Sequence, residues 1–108
     1  MNAKNIIVIL LLLTLVGCAG VVDVTKTSKG FYDPTDPNEV EILKTIPGKP
    51  YDELGTITAV KFKASNTAKM HNAIRAKAAP LGATAVILTQ EGIDGKKRWA
   101  IGVAIRYR

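Results

Sequence analysis

The C-terminal stretch reads Arg98-Trp-Ala-Ile-Gly-Val-Ala-Ile-Arg-Tyr-Arg108, in which bulky apolar residues alternate with small or basic ones. This period of two is typical of a β-strand, because successive side chains of a strand point to opposite faces of its sheet. One face of the predicted strand is bulky and apolar, and the other face is small in its middle and basic at both ends. The bulky face carries Trp99, Ile101, Val103, Ile105 and Tyr107.

Three further strands are predicted upstream of this one. Residues 40–46 are rich in β-branched and apolar side chains and end at a Pro-Gly pair. β-branched threonine and isoleucine dominate the first part of residues 54–63, which favours a second strand. Residues 83–89 are almost wholly apolar, as in a central strand covered on both faces. A turn at residues 92–95 is expected to join this strand to the last one as a hairpin.

A single helix is predicted over residues 67–79, between the second and third of these four strands. The segment is dense in alanine and long straight side chains, and Ser65 and Asn66 before it are good N-cap residues. Pro80 and Gly82 are expected to end the helix near residue 79. Met70 and Ile74 lie on its apolar face, and we expect Met70, like Trp99, to be a core residue.

The predicted order is therefore β-β-α-β-β, an α+β fold with one helix on a small, largely antiparallel sheet. The strands on either side of the helix are parallel to each other if they are neighbours in the sheet. A folded part of about 70 residues is small for a domain without disulfides. A homo-oligomer or a partner that covers apolar surface is therefore expected.

The N-terminal part has the features of a secretory signal. Lys4 precedes an uncharged apolar run over residues 6–16, and small residues follow. A membrane-spanning helix needs about 20 apolar residues, so this run is too short for one. The run ends in a tetrapeptide that resembles the lipobox of bacterial lipoproteins: Leu15, Val16, Gly17 and Cys18. A plain cleavable signal peptide and a buried core helix are the alternatives.

Cys18 is the only cysteine of the chain, so no intrachain disulfide can form. The lipobox resemblance implies cleavage before Cys18, a diacylglycerol thioether on its sulfur and a further acyl chain, such as palmitate, on the new amino terminus. Ala19 follows instead of an aspartate, a pattern that resembles outer-membrane lipoproteins whose domain faces the periplasm. The inner membrane and the cell surface remain alternatives. We therefore predict a signal peptide at residues 1–17, a lipidated flexible tether at 18–39 and a periplasmic α+β domain at 40–108.

Charge is unevenly distributed along the predicted mature chain. Residues 21–56 carry a net charge of −3, whereas residues 57–108 carry +8. The basic half is either ordinary solvated surface or a surface for anionic lipid or an acidic envelope protein. Nucleic acid is a poor fit for an exported, tethered domain without interleaved aromatic residues. The candidate partner contacts are Arg98, Arg106 and Arg108.

The sequence offers little for catalysis, and we expect no enzyme, no cofactor and no metal site. His71 is the only histidine and has neither a second histidine nor a free cysteine to complete a metal site. The nearest approach to paired carboxylates is Asp52 with Glu53, and Glu39 with Glu41. No nucleophile, base or phosphate-binding loop accompanies them, so they are interpreted as solvated surface charge.

Several motifs resemble the RcsF family of outer-membrane lipoproteins, which sense envelope stress. The motifs are Pro50-Tyr-Asp-Glu-Leu-Gly-Thr-Ile57, Ala64-Ser-Asn66 before an alanine-rich helix, and Ala83-Thr-Ala-Val-Ile-Leu88. The resemblance covers roughly residues 40–108 and the lipobox. RcsF-type domains are stapled by disulfides, and this chain has Phe62 where one cysteine would fall. The resemblance implies a shared fold more strongly than a shared signalling role.

Two hypotheses of function follow from these observations. The first is a membrane-anchored lipoprotein whose domain acts as a binding or envelope-stress-sensing module. The second is a structural lipoprotein that supports the envelope by self-association and has no signalling role.

Overall fold

The computed structural model describes residues 20–108, which form one five-stranded sheet and one α-helix. The strands are β1 (Val21–Lys26), β2 (Glu41–Leu43), β3 (Tyr51–Lys63), β4 (Ala85–Asp94) and β5 (Lys97–Tyr107). The helix α1 (Thr67–Ala78) lies between β3 and β4 in the chain. Short 3₁₀ turns at Pro37–Glu39 and Ala79–Leu81 complete the regular structure.

The strands lie in the order β1-β3-β5-β4-β2, so β5 occupies the centre of the sheet. The pairs β1–β3, β3–β5 and β4–β5 are antiparallel, and β2 pairs with β4 in parallel. Because β3 and β4 both run antiparallel to β5, they are parallel to each other but are not neighbours. The crossover through α1 thus spans the central strand instead of joining adjacent strands.

The predicted fold class is confirmed at the level of one helix on a mostly antiparallel sheet, but the predicted order of elements was wrong at its beginning. Val21–Lys26 forms a strand at the edge of the sheet, within the segment that the sequence analysis assigned to a flexible tether. The observed order is β-β-β-α-β-β. The physical reason is that Val22 and Val24 pack against the core beside α1, which stabilises this edge strand.

The other elements occur in the predicted order along the chain, but their lengths differ from the predicted ones. The strand predicted over residues 40–46 is only Glu41–Leu43, because the chain bends away after Leu43. The strand predicted to end at residue 89 continues to Asp94, and the hairpin turn is formed by Gly95 and Lys96 instead of residues 92–95. The hairpin is therefore longer than predicted, and β3 accompanies it as far as the pair of Lys63 and Lys97.

The helix ends where the sequence predicts it to end. Pro80 follows α1 within a 3₁₀ turn, and Gly82 has a left-handed φ of 86°. A side chain at position 82 would also meet the Cβ of Tyr32, so both the backbone and the packing require glycine there. Met70, Ile74 and Ala78 form the buried stripe of the helix, and Met70 is a core residue as predicted.

A one-residue bulge in β3 decides which face of the sheet receives Phe62. The pairing with β5 shifts between Ala59 and Phe62, and Lys61 there has a φ of 67°. Without the bulge, strict alternation would place Phe62 on the opposite face from Ala59. With it, Phe62 pairs opposite Arg98 and is buried in the core that α1 covers.

Candidate functional site

The two faces of β5 have opposite surroundings, and this asymmetry defines the first candidate surface. Ala100 and Ala104 are buried against the core that contains Met70 and Ile74 of α1. A Cβ at Gly102 on this face would lie 2.8 Å from the carbonyl oxygen of Ile87, so packing against the neighbouring strand β4 leaves no room for a side chain there. The bulky row of β5 therefore faces away from the helix.

The bulky row is partly exposed along the half of the sheet that lies nearer the β4–β5 hairpin. Ile101 lies opposite Thr58 of β3 and Gln90 of β4, and Val103 lies opposite Thr56. Trp99, Ile101 and Val103 are all half-buried, whereas Thr56 and Gln90 are exposed. We call the surface of Thr56, Thr58, Trp99, Ile101 and Val103 the open sheet face. Within residues 20–108, no helix lies over it.

Trp99 forms one border of the open sheet face. It lies opposite Gly92 in the register of β4 and β5. A Cβ at position 92 would come within 2.8 Å of the indole ring, so the ring lies flat across the glycine. Trp99 was expected in the core, and the structure places it half-buried on the sheet side remote from α1. The absence of a side chain at position 92 thus leaves room for the indole ring to pack against the backbone of β4.

The other half of the same sheet face is covered by a cluster of aliphatic and tyrosine side chains. Ile87 and Ile105 are buried there with Ala85, and Leu43, Tyr51, Val103 and Tyr107 pack against them. The Lys49 ammonium lies 3.9 Å from the centre of the Tyr107 ring, and the Tyr107 hydroxyl contacts Glu41 at 3.3 Å. Burial, together with the neighbouring Glu41 carboxylate, raises the pKa of Tyr107. Because this half of the sheet face is covered by its own side chains, the open sheet face is confined to the region around Ile101.

The three candidate arginines do not form a single patch. Arg98 and Arg106 lie on the same strand about 26 Å apart along its axis. Both donate to backbone carbonyls: Arg98 to Ala64, at 3.0 Å from Nε and 2.9 Å from Nη2, and Arg106 to Gly82 at 2.9 Å. These contacts hold the loops at the two ends of α1 against β5.

Arg108 differs from the other two arginines because its partner is a side chain. It forms an ion pair of 3.0 Å with Asp52, whose carboxylate also accepts from the Tyr32 hydroxyl at 3.5 Å. Both partners are well exposed, so the pair contributes little to stability. Asp52 therefore belongs to a surface ion pair, while Glu53, Glu39 and Glu41 are exposed.

His71 lies on α1 beside a small group of charged side chains. Its Nε2 atom is buried and has no hydrogen-bond partner among the described residues. Burial lowers the pKa of His71 below its usual 6.5, and the nearby Lys44 and Arg75 lower it further, while Glu91 opposes them. Lys44 and Glu91 form an ion pair of 2.7 Å. In residues 20–108 no three histidine, cysteine or acidic side chains come together as metal ligands.

The lowered pKa of His71 predicts that the folded protein loses stability in mild acid. The imidazole ring of His71 is protonated more easily in the unfolded chain than in the folded one. The contribution of the neutral ring to the free energy of unfolding is therefore complete above pH 6.5, and it is lost as the pH falls through the lower pKa of the folded state. We expect the Tm of the wild type to fall between about pH 7 and about pH 5, and that of His71→Gln to fall less. Thermal unfolding followed by circular dichroism measures both. Parallel pH profiles for the two proteins would contradict the prediction.

A distinctly basic region lies at the end of the sheet where β1 begins, β3 ends and the β4–β5 hairpin turns. We call it the basic end and define it by Lys61, Lys63, Lys69, Lys96 and Lys97, all of which are exposed. A cleft of about 510 Å³ there is lined by Lys63, Ala64, Ser65, Gly95, Lys96 and Lys97. Sequence reasoning found the basic half of the chain but did not place these lysines together.

The predicted lipid anchor, formed by Leu15, Val16, Gly17 and Cys18, lies outside the described residues. Within residues 20–108, no helix combines the length and apolar character needed to cross a membrane. Residues 20–108 form a small α+β domain with one helix-covered and one partly open sheet face.

Comparison with known proteins supports this fold. No protein-family model matches the chain, and no curated protein sequence matches it. Among solved structures, the chain is similar to the crystal structure of FvfA, a Francisella virulence factor, with a TM-score of 0.58 and 16% sequence identity. The match covers 79% of this chain and 96% of that one. At this identity the similarity establishes a shared fold.

Proposed function

We propose that this protein is a membrane-anchored bacterial lipoprotein whose domain binds another protein of the cell envelope through the open sheet face. The anchor is Cys18, at the end of a signal sequence with the lipobox order Leu15-Val16-Gly17-Cys18. Ala19 after the cysteine favours the outer membrane, with the domain in the periplasm. No catalytic or cofactor role is included in the proposal.

The observation that carries the binding role is the position of the bulky row of β5. In an antiparallel sheet covered on one side, the uncovered face is normally polar. Here the uncovered face of the central strand carries Trp99, Ile101 and Val103, and its helix-covered face carries alanine and glycine. Aromatic side chains such as that of Trp99 are enriched in protein-binding surfaces.

The nature of the partner follows from the chemistry of this face. The five residues that define it carry no charge, and the exposed carboxylate of Asp23 lies beside them, opposite Thr58 on the same face. A partner with apolar side chains gains about 25 cal/mol for each Å² of apolar surface buried, and the threonine hydroxyls can hydrogen-bond to it. The similarity to RcsF-type motifs suggests envelope-stress sensing as the purpose of the binding.

Self-association is the second candidate function, and one observation favours it. The open sheet face runs along the central strand, so two copies could place their bulky rows face to face around a twofold axis. Such a dimer would bury apolar surface that the small domain leaves partly exposed.

Site-specific photo-crosslinking in intact cells tests the binding role. We expect a photoreactive phenylalanine analogue at Ile101 to give a crosslinked heterocomplex, because this side chain lies at the centre of the open sheet face. The matched control is the same analogue at Asn72, which is exposed on α1 on the other side of the sheet.

The pattern of products separates the hypotheses. A product from position 101 with the mass of two copies of this chain would favour self-association. Equal products from positions 101 and 72, or none from position 101, would overturn the assignment of the open sheet face.

A further inference from the structure

The chain enters the fold immediately beside the basic end. Val21, the first residue of β1, pairs with Val60 of β3, one residue before the bulge at Lys61. Gly20 has a φ of 152°, and a Cβ there would lie within 2.7 Å of the Phe62 ring, so its backbone lies directly on a buried core side chain. The point of entry is therefore fixed by packing as well as by strand pairing.

This entry point limits how far the predicted anchor can be from the domain. Consecutive Cα atoms are about 3.8 Å apart, so the Cα of Cys18 lies at most about 7.6 Å from that of Gly20. A lipidated Cys18 would bring the entry point, and the surface around it, to the membrane headgroups. The folded domain would then sit on the bilayer instead of hanging from a long tether.

The surface around the entry point suits an anionic bilayer. The five lysines of the basic end are exposed, and Asp94 in the hairpin is the nearest opposing carboxylate by sequence and register. Among the described residues the ion pairs are Lys44–Glu91 and Arg108–Asp52, so none of the five lysines is neutralised by a pair. Each such lysine near an anionic membrane contributes about 1 kcal/mol of attraction, or about fivefold in affinity.

Two exposed apolar side chains lie at the same end of the sheet, one on each face. Val21 begins β1, and Ile93 lies opposite Arg98 just before the hairpin turn. They are 38% and 54% exposed, respectively. Exposed apolar side chains together with lysines are the combination by which peripheral proteins contact the headgroup region.

We propose that the basic end is a docking surface for anionic phospholipid headgroups, which orients the anchored domain with the β4–β5 hairpin toward the membrane. This inference rests on the proposed lipid anchor at Cys18. Docking at the basic end would leave the long axis of β5 steep to the bilayer. The open sheet face would then stand clear of the lipid, accessible to a partner from the side.

Lysine labelling of the mature full-length protein tests the orientation. The protein is reconstituted in vesicles of equal parts phosphatidylglycerol and phosphatidylcholine, or of phosphatidylcholine alone, and labelled with an amine-reactive reagent. Mass spectrometry gives the rate at each lysine. We expect labelling of Lys96 and Lys97 to slow about fivefold or more in the anionic vesicles, and high salt to reverse this.

The opposite end of the sheet supplies the internal control. Lys26 and Lys49 are exposed there, and Lys49 lies over Tyr107, about 33 Å along β5 from Lys97. Lys26 is level with Ala104, about 23 Å along β5 from Lys97. Both distances exceed two Debye lengths at physiological ionic strength, so the labelling of Lys26 and Lys49 should be equal in the two kinds of vesicle. Equal slowing at both ends, or none at either, in acylated protein would overturn the docking surface.

Charge reversal provides a matched pair of variants. The double variant Lys96→Glu with Lys97→Glu should abolish the protection of Lys61 and Lys63 from labelling. The double variant Lys29→Glu with Lys49→Glu makes the same charge change at the opposite end of the sheet and should leave the protection of Lys61 and Lys63 intact. Intact mass of the same samples reports acylation independently. Protein without acyl chains would overturn both this inference and the proposed anchor, whereas acylated protein with unprotected lysines would overturn this inference alone.

Discussion

Ile74→Asp is expected to unfold the domain. Ile74 is completely buried on α1, in the cluster that joins the helix to Ala100 and Ala104 of β5. The substitution removes about 1.5–3 kcal/mol of apolar burial and leaves a carboxylate without a partner in the core, which costs several kcal/mol more. A domain of this size has a total stability of about 5–10 kcal/mol. We expect no cooperative thermal transition by circular dichroism.

The matched control is Ile101→Asp, the same substitution at an isoleucine on the opposite face of the sheet. Ile101 is half-buried on the open sheet face, so the new carboxylate can remain hydrated. We expect a loss of about 1 kcal/mol and a preserved transition. Unfolding of Ile101→Asp with a stable Ile74→Asp would mean that the core lies on the bulky side of β5.

Cys18→Ser is expected to release the protein from membranes. A serine hydroxyl cannot accept the diacylglycerol thioether, so both the anchor and the processing that depends on it are lost. Each buried CH₂ of an acyl chain contributes about 0.8 kcal/mol, so attachment by several chains is stable, whereas a single chain binds only reversibly. We expect the wild type in the membrane pellet and the mutant as unprocessed precursor or soluble protein after fractionation in a Gram-negative host.

Ala19→Ser serves as the control for Cys18→Ser. It changes the adjacent residue to serine and leaves the lipobox of residues 15–18 intact. We expect this protein to be processed and to remain in the pellet. Release of both variants to the same extent would show that the thiol has no special role.

Much of the fold is accessible to sequence reasoning because its local signals agree with the tertiary structure. The strict alternation of β5 predicts a strand over nearly its observed length, Lys97–Tyr107. The helix is predicted within a residue of its observed end, since Pro80 and Gly82 act locally on the backbone. These elements are determined by near neighbours in the chain.

The remaining features depend on contacts between distant residues. Val22 and Val24 alternate with polar residues over a stretch too short to distinguish a strand from a tether, and β1 is stabilised by β3 and α1. The bulge at Lys61 moves Phe62 to the helix side, which strict alternation does not predict. Only the folded sheet fixes such register shifts.

The open sheet face was also missed, although a signal for it exists. The sequence shows one bulky and one small face on β5, and the bulky face would ordinarily be expected under the helix. Instead, Ala100 and Ala104 are buried in the cluster that contains Met70 and Ile74 of α1, which leaves Trp99 and Ile101 on the other side. A run of small residues on the central strand therefore indicates the helix-covered face.

Intact mass of the wild-type protein extracted from the membrane fraction tests the central claim of a lipid-anchored module most directly. The lipid anchor predicts a mass lacking residues 1–17 and increased by a diacylglycerol and a further acyl chain, with the modification on the peptide that begins at Cys18. A mass equal to the unmodified chain, with or without the first 17 residues, would contradict it.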